Sequence, residues 1–175
     1  MVIISDRVPI SHDQKSPDPP FKKGKETRKV ENSAMTEIKF FFNVDNKLQF
    51  ACKLAKRACD EGRKMIVYAP SPKLADEFDR LLWTFSQLSF VPHVKAGHAF
   101  AAETPIVIAS DDTGLTHHQA LLNIGDDPPP FFSRFDALRE VVSSDGDDRA
   151  SARERMKFYK SRGFDVRTQD MLAHG

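Results

Sequence analysis

The stretch MIVYAPSPKLADEFDRLLW, Met65 to Trp83, decides the fold class. It begins with a short apolar run that has the length and composition of a buried strand. Ser71 and Pro72 then form a helix start, with Ser at the N-cap and Pro at the first helical position. The residues that follow place apolar side chains at helical spacing, at Leu74, Phe78, Leu81 and Phe85. The stretch therefore predicts a buried strand that leads directly into an amphipathic helix.

The residues upstream repeat the same order. EIKFFFNV, Glu37 to Val44, is a second strand-like apolar run. A helical pattern follows and ends at Gly62, with its apolar positions at Leu48, Cys52, Ala55 and Cys59. Alternation of strand and helix predicts an α/β domain with a mostly parallel central sheet covered by helices on both faces.

Downstream the elements are shorter. Strand-like runs begin at Pro105, Gln119 and Ala137, and FFSRF after three prolines is typical of a helical turn. The last long helix is predicted to begin at Asp147 or Asp148 as N-cap and to end at Gly163, and FDVRT adds a final strand. The long segment SQLSFVPHVKAGHAFAAET between the second helix and Pro105 is expected to be a loop.

Residues 1–34 differ in composition from the rest. They are rich in Lys, Pro, Ser and Asp and have almost no apolar periodicity, so we expect a disordered extension. Met35 stands directly before the first strand. Either translation starts at Met35 and the extension is an error of gene-start assignment, or the extension is a genuine flexible tail; the sequence leaves both open. Residues 35–175 form the predicted α/β domain.

Composition limits the classes of function. Lys and Arg number 26 against 25 for Asp and Glu, so no overall field holds a polyanion or an acidic membrane. Cys52 and Cys59 lie too far apart on a helix for a disulfide, and no apolar run reaches the length of a membrane span, which favours a cytoplasmic protein. The phosphate-binding glycine motifs and the nucleophile elbow are absent. We expect a binding module without catalytic, cofactor or metal site.

The last helix carries one candidate binding surface. On a helical projection a basic ridge spans an arc of about 80° and consists of Arg149, Arg153, Lys157 and Lys160. An apolar stripe occupies the neighbouring arc, at Ala152, Met156, Tyr159 and Gly163. A basic ridge beside an apolar stripe fits a short peptide with acidic residues and a hydrophobic end. A direct nucleic-acid contact and an ordinary solvated helix face are the alternatives.

Trp83 marks a second candidate surface. The helical stripe of its own helix leaves position 83 on the solvent side, beside Asp76 and Asp79. Phe90, Val91 and Pro92 follow in a loop that cannot easily bury all three. An exposed Trp beside an apolar loop is typical of a protein-partner surface. The alternative is that the long loop folds back over Trp83.

Two stretches together resemble a known family. RLLWTFSQLSFVPHVKAG (Arg80 to Gly97) and ARERMKFYKSRGFDVRT (Ala152 to Thr168), with an opening strand such as KFFFNV, resemble the chi subunit of bacterial DNA polymerase III. The resemblance covers Met35 to about Asp170. It implies a three-layer Rossmann-like fold without a nucleotide-binding loop. It also implies an accessory subunit that is not itself an enzyme.

The resemblance further implies the partners. Chi proteins link the clamp loader, through the psi subunit, to the acidic C-terminal tail of single-stranded DNA-binding protein, so DNA is contacted only indirectly. By similarity the tail site comprises Arg153, Met156, Lys157, Tyr159 and Lys160. The surface for psi, or for another protein, comprises Trp83, Phe90, Val91 and Pro92. Met156 stands where the family often has an aromatic and can still fill an apolar pocket. Lys160 stands where Arg is common and loses the bidentate fork, which implies weaker tail binding. A direct nucleic-acid binder and a small α/β enzyme stay as alternatives.

Overall fold

A computed structural model describes residues 35–86 and 90–172. The elements in chain order are β1 (Glu37–Val44), α1 (Lys47–Asp60), β2 (Met65–Tyr68), α2 (Pro72–Thr84), β3 (His93–Lys95), β4 (Ile106–Ala109), β5 (Ala120–Asn123), a 3₁₀ turn (Phe132–Arg134), β6 (Ala137–Ser143), α3 (Gly146–Ser161) and β7 (Val166–Asp170). The predicted extension, residues 1–34, lies outside the described residues.

The strands form one sheet in the order β3-β4-β2-β5-β6-β1-β7. Every pairing in the described part of the chain is parallel, so the predicted Rossmann-like α/β fold is confirmed. The first strand lies between the last two, β6 and β7. A chain that runs from one parallel strand to another needs a crossover connection, and α3 crosses from β6 over β1 to β7.

Each face of the sheet has its own hydrophobic cluster. Phe41 and Val44 point from β1 into the cluster beneath α1 and α2, whereas Ile38 and Phe40 point into the cluster beneath α3 and the 3₁₀ turn. Alternate residues of a strand face opposite sides, so β1 contributes to both clusters. The helices form the two outer layers around a sheet that is buried on both faces.

The predicted start of α2 is confirmed. The Ser71 side chain accepts a hydrogen bond from the Leu74 amide at 3.3 Å, and Pro72 takes the first turn. The segment expected to be a loop contains β3, a strand of three residues at the sheet edge. Sequence pattern missed β3 because three residues are too few to show alternation.

Candidate functional site

The start of α3 is set by Asp145 and not by the predicted Asp147 or Asp148. The Asp145 carboxylate accepts hydrogen bonds from the amides of both residues, at 2.9 and 3.2 Å. Asp148 instead binds Lys47 at 2.9 Å and the Ser143 amide at 2.7 Å. These bonds fix the first turn of α3 onto the end of β6 and onto α1. They also fix the rotation of α3, and therefore which side chains face solvent.

The outward side of α3 is basic. Arg153, Lys157 and Lys160 are exposed, and together we call them the α3 basic face. Lys157 has a side chain that is 72% exposed and pairs with Glu154 at 2.6 Å. Arg149, the fourth member of the predicted ridge, is partly buried and donates a hydrogen bond to the Asn43 side chain. The sequence therefore placed three of the four cations correctly on the surface.

Tyr159 does not line a surface pocket, and that part of the predicted tail site is wrong. Its side chain is fully buried, and its hydroxyl donates a hydrogen bond to Glu140 at 2.7 Å. Burial raises the pKa of Tyr159, and the charge of Glu140 raises it further, so the hydroxyl keeps its proton. Ala152 is fully buried as well. The apolar stripe of α3 therefore faces the core, because the helix has one side packed on the sheet.

Arg155 is a buried cation that the sequence reasoning missed. Its Nε donates to Glu140 at 2.9 Å and its Nη1 donates to the Asp126 carbonyl at 2.8 Å, while Nη2 is buried without a partner among the described residues. Asn123 also donates to Glu140. Burial raises the pKa of Glu140, and the Arg155 charge and these hydrogen bonds oppose that rise. The sequence spacing indicates that Arg155 shares a helix face with two apolar residues, because Arg155 is three residues after Ala152 and four before Tyr159.

Apolar surface remains beside the α3 basic face. Met156 is half-buried and packs against the cluster under α3. Phe42 on β1 and Val166 on β7 are half-buried against the same cluster. Of the apolar residues in the predicted tail site, Met156 reaches solvent beside the basic face and Tyr159 does not.

On the flank of the α3 basic face where Lys157 lies, α3 borders an open pocket of about 570 Å³. Its lining is Asp126, Asp127, Pro128, Ser151, Glu154, Arg155, Lys157, Phe158 and Ser161. Three carboxylates contribute to this lining, so it repels an acidic ligand more than the α3 basic face does.

Trp83 and Phe90 form an exposed aromatic pair, which we call the Trp83 patch. Trp83 is 59% exposed and Phe90 is 68% exposed, with ring centroids 5.5 Å apart. Pro92 is half-buried. Val91 is buried in the cluster beneath α1 and α2, so its predicted place on the partner surface is wrong. Alternation along an extended segment turns Val91 inward while Phe90 stays outward.

His93 supports this patch from below. Its ring centroid lies 4.9 Å from that of Trp83. Its Nδ1 lies 2.7 Å from the Val91 carbonyl oxygen, which can only accept, so Nδ1 carries a proton. The bond ties the loop at Val91 to β3, and the buried imidazole gives Trp83 a fixed surface on which to lie.

In the part of the chain that the structure describes, no helix is long and apolar enough to cross a membrane.

Comparison with known proteins gives one family. The profile of the family described as DNA polymerase III chi subunit matches residues 35–167. The DNA polymerase III subunit chi of Pseudomonas aeruginosa is 28% identical over 134 residues, which cover 74% of this chain and 93% of that protein. The subunits chi of Haemophilus influenzae and Escherichia coli are 30% and 26% identical, covering 70% and 69% of this chain and 86% and 82% of their own lengths.

Proposed function

We propose, from the premise that this chain belongs to the DNA polymerase III chi subunit family, that it binds the acidic C-terminal tail of single-stranded DNA-binding protein. The family makes the chain an accessory subunit of DNA replication. The tail would lie on the α3 basic face. Through that contact the chain would bridge the DNA-binding protein to the polymerase.

One observation carries the proposal. Arg153, Lys157 and Lys160 are exposed on one side of α3 in a chain whose total charge is only +1, so the positive field is local. Half-buried Met156 borders them. The pair of Lys157 with Glu154 is exposed on both sides, and such surface pairs contribute little free energy. An incoming carboxylate therefore replaces Glu154 at low cost.

Each group of the tail has a partner of matching chemistry. A terminal carboxylate and acidic side chains would bind Arg153 and Lys157, since Arg offers a planar fork to a carboxylate. A hydrophobic last residue would pack on Met156, which is half-buried beside the basic residues. Lys160 would add a charge without bidentate geometry.

The mechanism would be avidity and not catalysis. A contact made mainly by exposed charges is weak and is screened by salt. A DNA-binding protein that coats a strand presents many tails, and repeated weak contacts keep the polymerase near that strand. The chain would then act as an adaptor.

Calorimetric titration tests the tail site. The ligand is an acidic peptide that ends in Pro-Phe with a free carboxylate, and the comparison is the same peptide with an amidated C-terminus. We expect amidation to weaken binding about tenfold or more, and Arg153→Glu and Lys157→Glu to do the same. Lys53→Glu is the matched control, because Lys53 is exposed on α1, on the other face of the sheet. Equal binding of the amidated peptide, or of Lys157→Glu, would refute the tail site.

We propose that the Trp83 patch binds a second protein, the psi subunit or another protein of the replication machinery. Exposed Trp and Phe side chains are the residues that dominate interface free energies, and Trp83 and Phe90 are adjacent and supported from below by His93. The patch belongs to α2 and the following loop, whereas the tail site belongs to α3. One chain therefore has separate surfaces for the two partners.

Co-elution of the chain with a psi subunit on size-exclusion chromatography tests the patch. Trp83→Ala is expected to weaken the complex by about 2 kcal/mol, or roughly thirtyfold, and to leave tail-peptide binding unchanged. Phe100→Ala is the matched control, since Phe100 is 65% exposed and lies outside the patch. Loss of the complex in both variants would mean that exposed aromatic surface in general, and not the patch, holds the partner.

A further inference from the structure

A second basic site lies on the opposite face of the sheet from α3. It is a pocket of about 300 Å³ at the amino ends of β1, β2, β5 and β6, and we call it the amino-end pocket. Four cations and two carboxylates contribute to its lining: Lys39, Arg57, Arg63, Arg139, Glu37 and Glu61. The remaining lining is apolar. Positive charge is therefore in excess in a concave site, where field lines concentrate.

Strand register extends this charge into a row. Lys39 on β1 is paired with Arg139 on β6 and with Arg167 on β7. Paired residues of parallel strands point to the same face, and neighbouring strands lie about 4.8 Å apart. Three cations thus occupy one row across three strands. Like charges opposite each other destabilise a sheet. An anion bound along the row would remove that repulsion.

Arg139 is poorly neutralised by the protein itself. Its side chain is 18% exposed, and its contacts to Glu37 Oε1 and to the carbonyl oxygens of Glu37 and Leu138 are all 3.4 Å long. Within the described residues its Nε and Nη2 donate no hydrogen bond. Burial lowers the pKa of Arg139, Glu37 opposes this, and Arg63 and Arg167 lower it further. A guanidinium with free donors at a pocket wall is suited to an oxyanion.

The other carboxylates do not neutralise the excess of positive charge in the amino-end pocket and its cation row. Glu61 is shared between Arg57 at 2.8 Å and Arg63 at 3.5 Å. Asp165 lies 3.8 Å from Arg167, and both side chains are largely exposed. No carboxylate is paired with Lys39 among the described residues; its Nζ lies over the Phe41 ring, 5.0 Å from the centroid.

We propose that the amino-end pocket and its cation row bind the phosphodiester backbone of single-stranded DNA. A pocket of this size holds one phosphate, and a flexible strand can turn a phosphate into it while its neighbours follow the row to Arg167. A peptide with a hydrophobic end fits less well, because the apolar lining residues Phe41, Ala58 and Met65 are buried. The chain belongs to a family of DNA polymerase III subunits, so DNA is a polyanion that such a subunit meets.

The proposal does not depend on the tail site. The amino-end pocket lies on the α1 face of the sheet, and α3 covers the other face. A DNA strand and an acidic peptide could therefore be bound at once. Direct contact with DNA departs from the expectation that DNA is reached only through the DNA-binding protein.

Fluorescence anisotropy of a labelled oligothymidylate with the full chain at low salt is the test. We expect saturable binding whose log K falls with log salt, with a slope of about −0.7 for each phosphate neutralised. Lys39→Glu and Arg63→Glu are expected to weaken binding about tenfold and to reduce the slope. Both side chains reach solvent, so the variants should fold, and a thermal melt checks this. Lys53→Glu is the control with an equal change of charge outside the pocket.

Five outcomes would overturn the proposal. The wild-type chain does not bind the oligonucleotide; or the pocket variants bind it as well as wild type; or Arg153→Glu, on α3, weakens it instead. The fourth is that Lys39→Glu and Arg63→Glu weaken the acidic peptide and not the oligonucleotide, which would assign the pocket to carboxylates. Inorganic phosphate distinguishes a site for free phosphate from a site for the DNA backbone. If it raises the Tm as much as oligonucleotide at equal phosphate concentration, the site binds free phosphate and the DNA assignment fails.

Discussion

Arg153 and Arg155 are two residues apart on α3 and lie in opposite environments. Arg153 is exposed, whereas Arg155 is buried against Glu140 and the Asp126 carbonyl. Two helical steps turn a side chain by about 200°, so neighbouring arginines of one helix face solvent and core. The outer side of α3 is available for ligands because it makes few contacts within the chain. The inner side holds the helix on the sheet.

Of the substitutions on the two sides of α3, removal of Arg155 is expected to have the largest effect on stability. Arg155→Ala leaves Glu140 buried without its counter-charge, and we expect a loss of about 3 to 5 kcal/mol in the free energy of unfolding. Arg153→Ala is the matched variant and should change it by less than about 0.5 kcal/mol. Urea denaturation measures both. Similar values for the two variants would mean that the inner and outer arginines have the same role.

Tyr159 gives the next largest effect. Tyr159→Phe removes the hydroxyl that donates to Glu140, and a buried carboxylate that loses one donor should cost about 1 to 2 kcal/mol of unfolding free energy. Tyr68→Phe is the control, because the Tyr68 hydroxyl donates no hydrogen bond within the described residues. The proposed tail site excludes Tyr159, so tail affinity should stay the same. A stable Tyr159→Phe protein that has lost tail binding would return Tyr159 to that site.

The stability that Asp148 contributes at the inner side of α3 depends on pH. Burial alone would raise the pKa of Asp148, but the hydrogen bonds from Lys47 and Ser143 outweigh it and hold the pKa below its ordinary value. A lowered folded-state pKa gives stability that is present above the unfolded pKa and is lost as the pH falls through the folded one. Asp148→Asn should therefore be less stable than wild type at neutral pH. The difference should shrink at acid pH.

Thermal denaturation across that pH range measures the difference. Asp147→Asn is the matched control, since Asp147 is exposed in the same first turn of α3. A difference between Asp148→Asn and wild type that stays constant with pH would show that the ionised form of Asp148 contributes nothing to the stability of the fold.

The smallest expected effect is a change in peptide affinity caused by a substitution on the solvent side of α3. Glu154 pairs with Lys157 and competes with any carboxylate that approaches it. Glu154→Gln should therefore tighten binding of the acidic peptide about two- to threefold, equivalent to roughly 0.5 kcal/mol, because surface pairs are weak. Calorimetry at low salt measures it, and the gain should fade as salt rises. Unchanged binding in Glu154→Gln would place the tail away from Lys157, and weaker binding would mean that Glu154 itself contributes to the site.

Periodicity and capping carried the prediction of the fold. The strand and helix pattern from Glu37 to Trp83 was enough for the parallel sheet, and Ser71 with Pro72 marked the start of α2. The exposure of Trp83 also followed from the helical projection. These features depend on neighbours in the sequence, which is why one sequence reveals them.

The errors in the site depend on contacts between distant residues. Tyr159 was placed on the surface because an apolar stripe beside a basic ridge does not say which of the two faces the sheet. The helical spacing of Arg155 with Ala152 and Tyr159 indicated one shared face, but the partner that neutralises Arg155, Glu140, lies 15 residues earlier on β6 and is not visible in a local pattern. The amino-end pocket could not be found either, since Lys39, Arg139 and Arg167 become neighbours only through strand register.

The place of β1 between β6 and β7 has a consequence for synthesis. The first strand leaves the ribosome with no hydrogen-bonding neighbour, and its two partners begin at Ala137 and Val166. Long-range pairing of this kind makes folding slow and leaves apolar strand surface exposed while the chain grows. The support for α3 is complete only after β7 has emerged. Unfinished chains therefore lack a fully supported α3, and the exposed cations of that helix reach their final positions only once β7 has been made.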